Sequence, residues 1–406
     1  MENQTENDLY TSVISRMMML EDITWGEAKH GYLVRYRGRI YNEDTAAAYE
    51  QLAETLRPMK VTPLFREQGD QHVIILLNGL IQAKPSAIWV NVVLFIFTLF
   101  TVLLAGALYS SNYTGPAPIS MVDWIRVIFS SLPSGIPFAI SLLAILLAHE
   151  FGHYLAGRFH HTMVTLPYFI PLPLSPLGTM GAFIQVKEIP RNRRVMLDIG
   201  IAGPLAGLIV AIPVLLIGLS LSQVDRLPEV ASSNQGITLE GNSLLYLGLK
   251  YITKGELLPA PVSYGGQPAW LYWLRYIFTG TPLPFGGRDV VMHPIAWAGW
   301  AGLLVTAINL IPAGQLDGGH ILFILLGQKA SRLLPFIIVI LIGLGLFWSG
   351  WWLWAFLIFI FGRSHMEPLD LITPLDPRRK LLALLAVVVF ILVFIPVPMV
   401  SLSGGF

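Results

Sequence analysis

Five stretches of the chain, 88–109, 135–157, 196–221, 294–312 and 381–398, are almost continuously apolar. Each is close to or beyond the roughly 20 residues that a helix needs to cross the hydrocarbon core of a bilayer, so each predicts a membrane span. A further apolar stretch, 333–361, is long for one span and short for two, and Ser349 and Gly350 interrupt it. A tight hairpin there keeps both of its ends on one side of the membrane, whereas a single tilted helix separates them. The stretch 162–190 is apolar too, yet Pro167, Pro171, Pro173 and Pro176 forbid a continuous helix. Backbone that is not helical at membrane depth must be shielded by protein or line a cavity. This predicts a re-entrant, β-like segment beside a site, with 179–186 (TMGAFIQV) as its strand.

Residues 1–84 follow a different pattern, because charge interrupts their apolar positions and two periods occur. The runs 31–40 and 72–77 read as strands, and 45–56 reads as a helix. The expected architecture is a polytopic α-helical membrane protein of about six or seven transmembrane helices with a re-entrant β-like segment. A small α/β soluble domain over 1–84 precedes a transmembrane domain over 85–406, whose core is 135–332. No chemical motif occurs in 1–84, which therefore reads as a cap or docking module.

Composition reinforces lipid as the solvent: 54% of residues are hydrophobic and 13% charged, where a soluble protein carries roughly a quarter charged residues. The net charge of +1 and the scatter of the 26 basic residues argue against a nucleic-acid partner. Basic residues gather in two segments. The first, 158–195, holds Arg158, Lys187, Arg191, Arg193 and Arg194, and the second, 362–380, holds Arg363, Arg378, Arg379 and Lys380, whereas 110–134 has only Arg126. The positive-inside rule then places both segments and the N-terminal domain in the cytoplasm, and the loops 110–134 and 222–291 outside. The acidic, polar residues Met1 to Asp8 have no leader or transit character, which points to a bacterial cytoplasmic membrane. Cysteine is absent, so disulfides, thiolate ligands and cysteine nucleophiles are excluded, and a metal must use His, Asp or Glu.

Near the cytoplasmic end of the second span stands His149-Glu150-Phe151-Gly152-His153. On a helix its two imidazoles lie one turn apart on one face and can share one ion, with Glu150 beside them to take a proton from a water. Ionisable side chains in a span are expensive and call for a partner, here a third ligand. Asp198, Asp317 and the pair His160 and His161 are the candidates near span ends. Asp317 is the best of them, because it follows a span that Pro312 and Gly314 should break, leaving its carboxylate free to face a cavity.

With His149, Glu150 and His153, and with Asn309, Pro312, Leu316, Asp317 and Gly318 standing as N-x-x-P-x-x-x-L-D-G, the chain resembles the site-2 protease family. These are intramembrane zinc metalloproteases, peptidase family M50. Further likeness runs through 178–183, 202–207 and 368–380, in the manner of the cyanobacterial and plastid branch. The resemblance implies that His149, His153 and Asp317 bind Zn2+, that Glu150 is the general base and that Asn309 assists near the scissile carbonyl. It implies regulated cleavage of membrane proteins or peptides in or near a transmembrane segment. The strand 179–186 is then an edge with which an unwound substrate pairs.

Other polar and small residues have structural readings. Asp198 suits an i,i+4 ion pair with Arg194, Gly203 and Gly207 a helix-packing face, and Trp351, Trp352 and Trp354 an interfacial belt. His320 reads equally as a donor behind the ligands and as an interfacial histidine. Two rivals to the protease stay open at this level: a zinc-binding scaffold without proteolytic activity, and a cation transporter, against which the lack of an internal repeat counts. Oligomeric state is not legible.

Overall fold

The computed structural model describes residues 2–26, 31–80, 86–110, 120–230, 238–362 and 367–402. The expected domain boundary at 84/85 and Arg363 lie outside the described residues.

The chain opens with α1 (Glu2–Ser15), β1 (Met18–Trp25), β2 (Val34–Ile40), α2 (Thr45–Leu56), β3 (Val61–Gln68) and β4 (Gln71–Asn78). The strands form one antiparallel sheet in the order β1-β2-β4-β3. Alternation explains β2: Val34, Tyr36 and Gly38 are buried while Arg39 is exposed. Asp44 caps α2 by accepting from the Ala47 N–H at 3.2 Å. The buried face of α2, Ala48, Tyr49, Leu52 and Leu56, repeats at helical spacing and packs on Val34, Tyr36, Phe65, Ile74 and Leu76. The sequence reading found α2, β2 and β4 but neither β1, which charge interrupts, nor β3. Pro63 lies in β3 and argues against a central strand; β3 is at the sheet's edge, where proline is tolerated.

The remaining helices are α3 (Ile88–Ser110), α4 (Met121–Ser131), α5 (Ile136–Phe159), α6 (Arg193–Leu221), α7 (Leu244–Lys254), α8 (Ala269–Thr279) and α9 (Pro294–Asn309). They continue with α10 (Asp317–Leu326), α11 (Leu334–Leu344), α12 (Gly350–Phe361) and α13 (Pro377–Val393). Four helical stretches among the described residues are long and apolar enough to cross a membrane: Ile88–Ser110, Met121–Phe159, Arg193–Leu221 and Asp317–Leu344. The last was not expected as a span, because Lys329 and Arg332 interrupt its apolar run; the helix passes them in a 3-10 stretch, Gly327–Leu333. The stretch 333–361 does turn back on itself, with α11 and α12 packed together and the Trp352 Nε1–H donating to the Ile342 carbonyl at 3.2 Å.

At the core α5 lies along α6, and α6 along α9. Small residues set the approach: a Cβ on Gly218 would meet the Ala296 backbone at 2.2 Å, and one on Gly302 would meet Ile145 at 2.8 Å. Where α6 ends and α9 begins, 222–291 is not a featureless loop. Strand β7 (Gln223–Arg226) pairs with β9 (Arg288–Val291), β8 (Thr238–Glu240) pairs with β10 (Met399–Ser401), and α7 and α8 complete a cap. Trp351 is likewise no interfacial residue, since it is fully buried and its Nε1–H donates to the Pro396 carbonyl at 2.6 Å. At the opposite end, where α5 ends and α6 begins, the N-terminal sheet meets residues 368–374. Beside that end β5 (Tyr168–Pro171) and β6 (Thr179–Phe183) form a hairpin against α3.

Candidate metal centre and active site

One helix, α5, carries His149, Glu150 and His153, all nearly inaccessible to solvent at 3%, 3% and 6% exposure. The four-residue spacing stacks the two imidazoles one turn apart, with ring centroids 4.9 Å apart. Asp317 arrives from a different part of the chain. The helix α9 stops at Asn309, the chain turns through Gly314 at φ +59°, and α10 begins at Asp317 itself. A side chain at Gly314 would suffer both from that left-handed conformation and from Gly362, whose Cα lies 2.5 Å from the Cβ position. The break predicted at Pro312 and Gly314 is thus what turns the carboxylate inward.

The three atoms that converge are the Nε2 of His149, the Nε2 of His153 and the Oδ2 of Asp317. The nitrogens are 3.2 Å apart and each is 3.3 Å from the oxygen. A tetrahedral ion with bonds of about 2.0–2.1 Å spaces its ligand atoms by about 3.3 Å, which is the edge observed. Tautomer chemistry agrees. The His153 Nδ1–H donates to the Ile199 carbonyl at 2.7 Å, so Nδ1 carries a proton and the neutral ring presents its Nε2 lone pair to the cluster. Lone pairs converging in such a place call for a cation, and no Lys or Arg among the described residues lines the cavity they face. Glu150 is outside the cluster; one of its oxygens is buried without a partner, and the Ile184 N–H is directed at its carboxylate. The Asn309 Nδ2 is 3.4 Å from the His149 Nε2, at the rim of the three-atom face.

Helix α6 holds the imidazoles from behind, a role that sequence reasoning missed. Its packing motif was read as architecture, yet a Cβ on Gly203 would lie 2.0 Å from the His153 Nε2, and one on Gly207 would lie 3.2 Å from the His149 Nδ1. Those glycines are the space in which the ligands stand. The Ile199 carbonyl could not have been found either, because a backbone acceptor has no signature in residue type. Pro204 adds a further polar feature: lacking an N–H, it leaves the Gly200 carbonyl without its intrahelical donor, and Gly200 lines the cavity.

That cavity has a volume of about 660 Å³. His149, His153, Asp317 and Glu150 form one wall, with His320 and Gln315 beside Asp317; 182–186, Ile189 and Pro190 form the other. Strand β6 uses one edge for β5, and the chain beyond it stays tied to 163–165 through the Thr165 N–H, which donates to the Gln185 carbonyl at 3.0 Å. The other edge of β6 has no strand partner among the described residues. Asp198, His160 and His161 are not ligands. Asp198 does not pair with Arg194 as expected: its Oδ2 is 2.9 Å from the His160 Nε2, and its two oxygens accept from Arg379 at 2.9 and 2.5 Å. Arg194 instead donates to the Pro374 carbonyl at 2.9 Å. A local spacing rule cannot see a competitor that is 181 residues away.

Fold and site together define a membrane-type helical chain in which two buried imidazoles and a carboxylate form a group that could hold a metal ion, with an acid beside it. Residues 137–348, more than half of the chain, match Peptidase family M50, and the chain belongs to that family. It is 28% identical over 327 residues to "Probable zinc metalloprotease EGY1, chloroplastic" of Arabidopsis thaliana, covering 77% of this chain and 54% of that protein. It is 28% identical over 379 residues to "Probable zinc metalloprotease EGY2, chloroplastic" of Oryza sativa subsp. indica, covering 90% of this chain and 62% of that protein. The chain thus spans just over half to three-fifths of the length of these curated relatives. No solved structure matches it.

Proposed function

We propose that the chain is a zinc metalloendopeptidase that hydrolyses peptide bonds in or near transmembrane segments of membrane proteins, in regulated intramembrane proteolysis. The observation that carries the reading is the triangle of His149, His153 and Asp317 with 3.2–3.3 Å edges, flanked by Glu150 and set among helices long enough to span a bilayer. Zinc held by these three residues would polarise the scissile carbonyl and acidify a water in the fourth position.

The chain's own residues do the rest. Glu150, beside the ligands but not among them, takes a proton from the attacking water and passes it to the leaving amine. Ile199 keeps His153 in the tautomer that leaves Nε2 free. The Asn309 amide, at the rim beside His149, donates to the oxygen of the substrate carbonyl. A substrate helix loses its own hydrogen bonds before it can be cut, and each unmatched backbone group in lipid costs several kcal/mol. The edge of β6 that has no strand partner among the described residues continues into cavity-lining 182–186, and it offsets that cost by pairing with the unwound segment once the Ile184 N–H exchanges Glu150 for substrate.

Helices α3, α5, α6, α9, α11, α12 and α13 support a reading of about six or seven crossings, with 162–190 re-entrant. Contacts of the N-terminal sheet with 368–374 support one common side for that domain, the basic segments and the α5 end that bears the site. Under the positive-inside rule this is the cytoplasmic side or its equivalent. The names of the relatives point away from a bacterial cytoplasmic membrane. The opening residues, on which that reading stood, carry no weight in a chain that spans only part of its relatives.

The test is Glu150→Gln in liposomes that also hold a reporter protein with one transmembrane segment. Zinc content should match that of the unmodified chain while cleavage falls by about 10²–10⁴-fold. Equal cleavage by the variant, or an unmodified chain that binds no zinc, overturns the reading.

A further inference from the structure

The segment 368–380, singled out in the sequence and not used by the chemistry, runs as a strap between two parts of the molecule. Its middle is a β junction. The Phe65 N–H donates to the Leu369 carbonyl at 2.9 Å, and the Leu371 N–H returns a bond to the Phe65 carbonyl at 3.1 Å, so the strap adds to the outer edge of β3. On its other side the Leu369 N–H donates to the Pro190 carbonyl at 3.0 Å, and the Asp370 N–H to the Arg191 carbonyl at 2.8 Å. Asp370 is therefore bridged to Phe65 in one direction and to Asn192 in the other, both in parallel sense.

The side chain of Asp370 is fully buried, and it shapes the strap. It accepts from the N–H groups of Ile372 at 2.8 Å and Thr373 at 3.1 Å, and from the Thr373 hydroxyl. Around it the N-terminal unit holds on through polar contacts: Arg66 donates to the Pro368 and Leu369 carbonyls, and the hydroxyls of Thr45 and Thr373 are 3.0 Å apart. Further along, Arg194 and Asp198 of α6 engage Pro374 and Arg379.

What the strap grips is the wall of the catalytic cavity. Ile189 and Pro190 line the cavity, Asn192 caps α6, and Ile199, two turns on, orients His153. We propose that Asp370 is a positioning residue for substrate binding: its main chain fixes the cavity wall 189–192 to the edge of the N-terminal sheet, which makes the N-terminal unit a regulatory part of the active site. This inference rests on the proteolytic reading above. A partner or strain that moves the N-terminal sheet moves the wall against which the substrate lies, and leaves the ligands on α5 and α10 in place.

The experiment uses the full chain in liposomes with the same reporter, as Asp370→Ala and as Asp370→Asn, the latter keeping an oxygen for the Ile372 and Thr373 N–H groups. For Asp370→Ala, KM should rise about tenfold with kcat within about twofold. Zinc content should be unchanged, and amide exchange should quicken in 186–192 but not in β4. Asp370→Asn should stay within about threefold of the unmodified chain. Should Asp370→Ala fail to fold, Arg66→Ala, which removes the guanidinium from the Pro368 and Leu369 carbonyls, should show the same pattern at reduced size. Unchanged exchange and KM in 186–192, or exchange raised equally through β4, overturns the proposal. An unmodified chain that binds zinc nowhere and cuts nothing overturns the proteolytic reading instead, while exchange in 186–192 still reports on the clamp.

Discussion

Two clusters of buried ionisable groups sit at opposite ends of α9, and they solve the same physical problem in opposite ways. In the cap, the fully buried Lys250 puts its ammonium 2.8 Å from Glu240 and 3.2 Å from Asp289, and it also donates to the Leu258 carbonyl at 3.3 Å. The Tyr246 hydroxyl donates to Glu240 at 2.9 Å, and its ring lies 4.6 Å from the same ammonium. At the other end two imidazoles and a carboxylate converge, and no Lys or Arg among the described residues lines their cavity. Buried anions need a positive charge in either place. The cap carries its own, whereas the site must recruit one, and that difference separates a structural cluster from a reactive one better than burial does.

The sharpest way to break this contrast is to fill the space that the ligands need. Gly203→Ala sets a methyl 2.0 Å from the His153 Nε2. It should lower zinc affinity by more than about 100-fold and abolish cleavage, with the cap unaffected; metal content and exchange in the cap read the two arms. Normal zinc content in that variant would mean that His153 is not a ligand. Lys250→Met is the converse change. It strands two carboxylates in the cap and should cost about 3–5 kcal/mol of stability while zinc stays bound, as seen by denaturation with metal release followed in parallel.

The smallest effect concerns pH. Burial, with the nearby charge of Glu240, pushes the Asp289 carboxyl up to about 6 against the pull of Lys250. Its folded-state value thus lies above the ordinary 3.8. The stability it contributes is complete below that ordinary value and is lost as pH rises through about 6. The cap should therefore melt a few degrees lower at pH 7 than at pH 5, and Asp289→Asn should flatten that difference.

How much of this could be read beforehand differs along the same divide. The convergence of the candidate site was legible because it rests on side chains at fixed spacing: His149, Glu150 and His153 on one helix, and Asp317 after a break that Pro312 and Gly314 announce. What holds those ligands was not legible. The Ile199 carbonyl has no letter of its own, and Gly203 looks the same whether it admits a neighbouring helix or an imidazole. In the cap, α7 and α8 are short and lie between turn-rich segments, so 222–291 read as a loop. The ion group there, Glu240, Lys250 and Asp289, comes from three separate elements with no motif to join them. Asp198 was misassigned to Arg194 for a related reason, since proximity in sequence is the only proximity that a chain displays before it folds.

The strap has a consequence for how the protein is made. Arg66 and the Leu369 carbonyl it binds are separated by 303 positions. At about 5–20 residues per second a ribosome needs roughly 15–60 s to pass from one to the other. During that interval the N-terminal sheet is complete but its outer strand is bare, and 189–192 has nothing to rest on. Asp317, too, emerges only late. A nascent chain therefore carries the two imidazoles well before it has the carboxylate that joins them or the strap that completes the cleft.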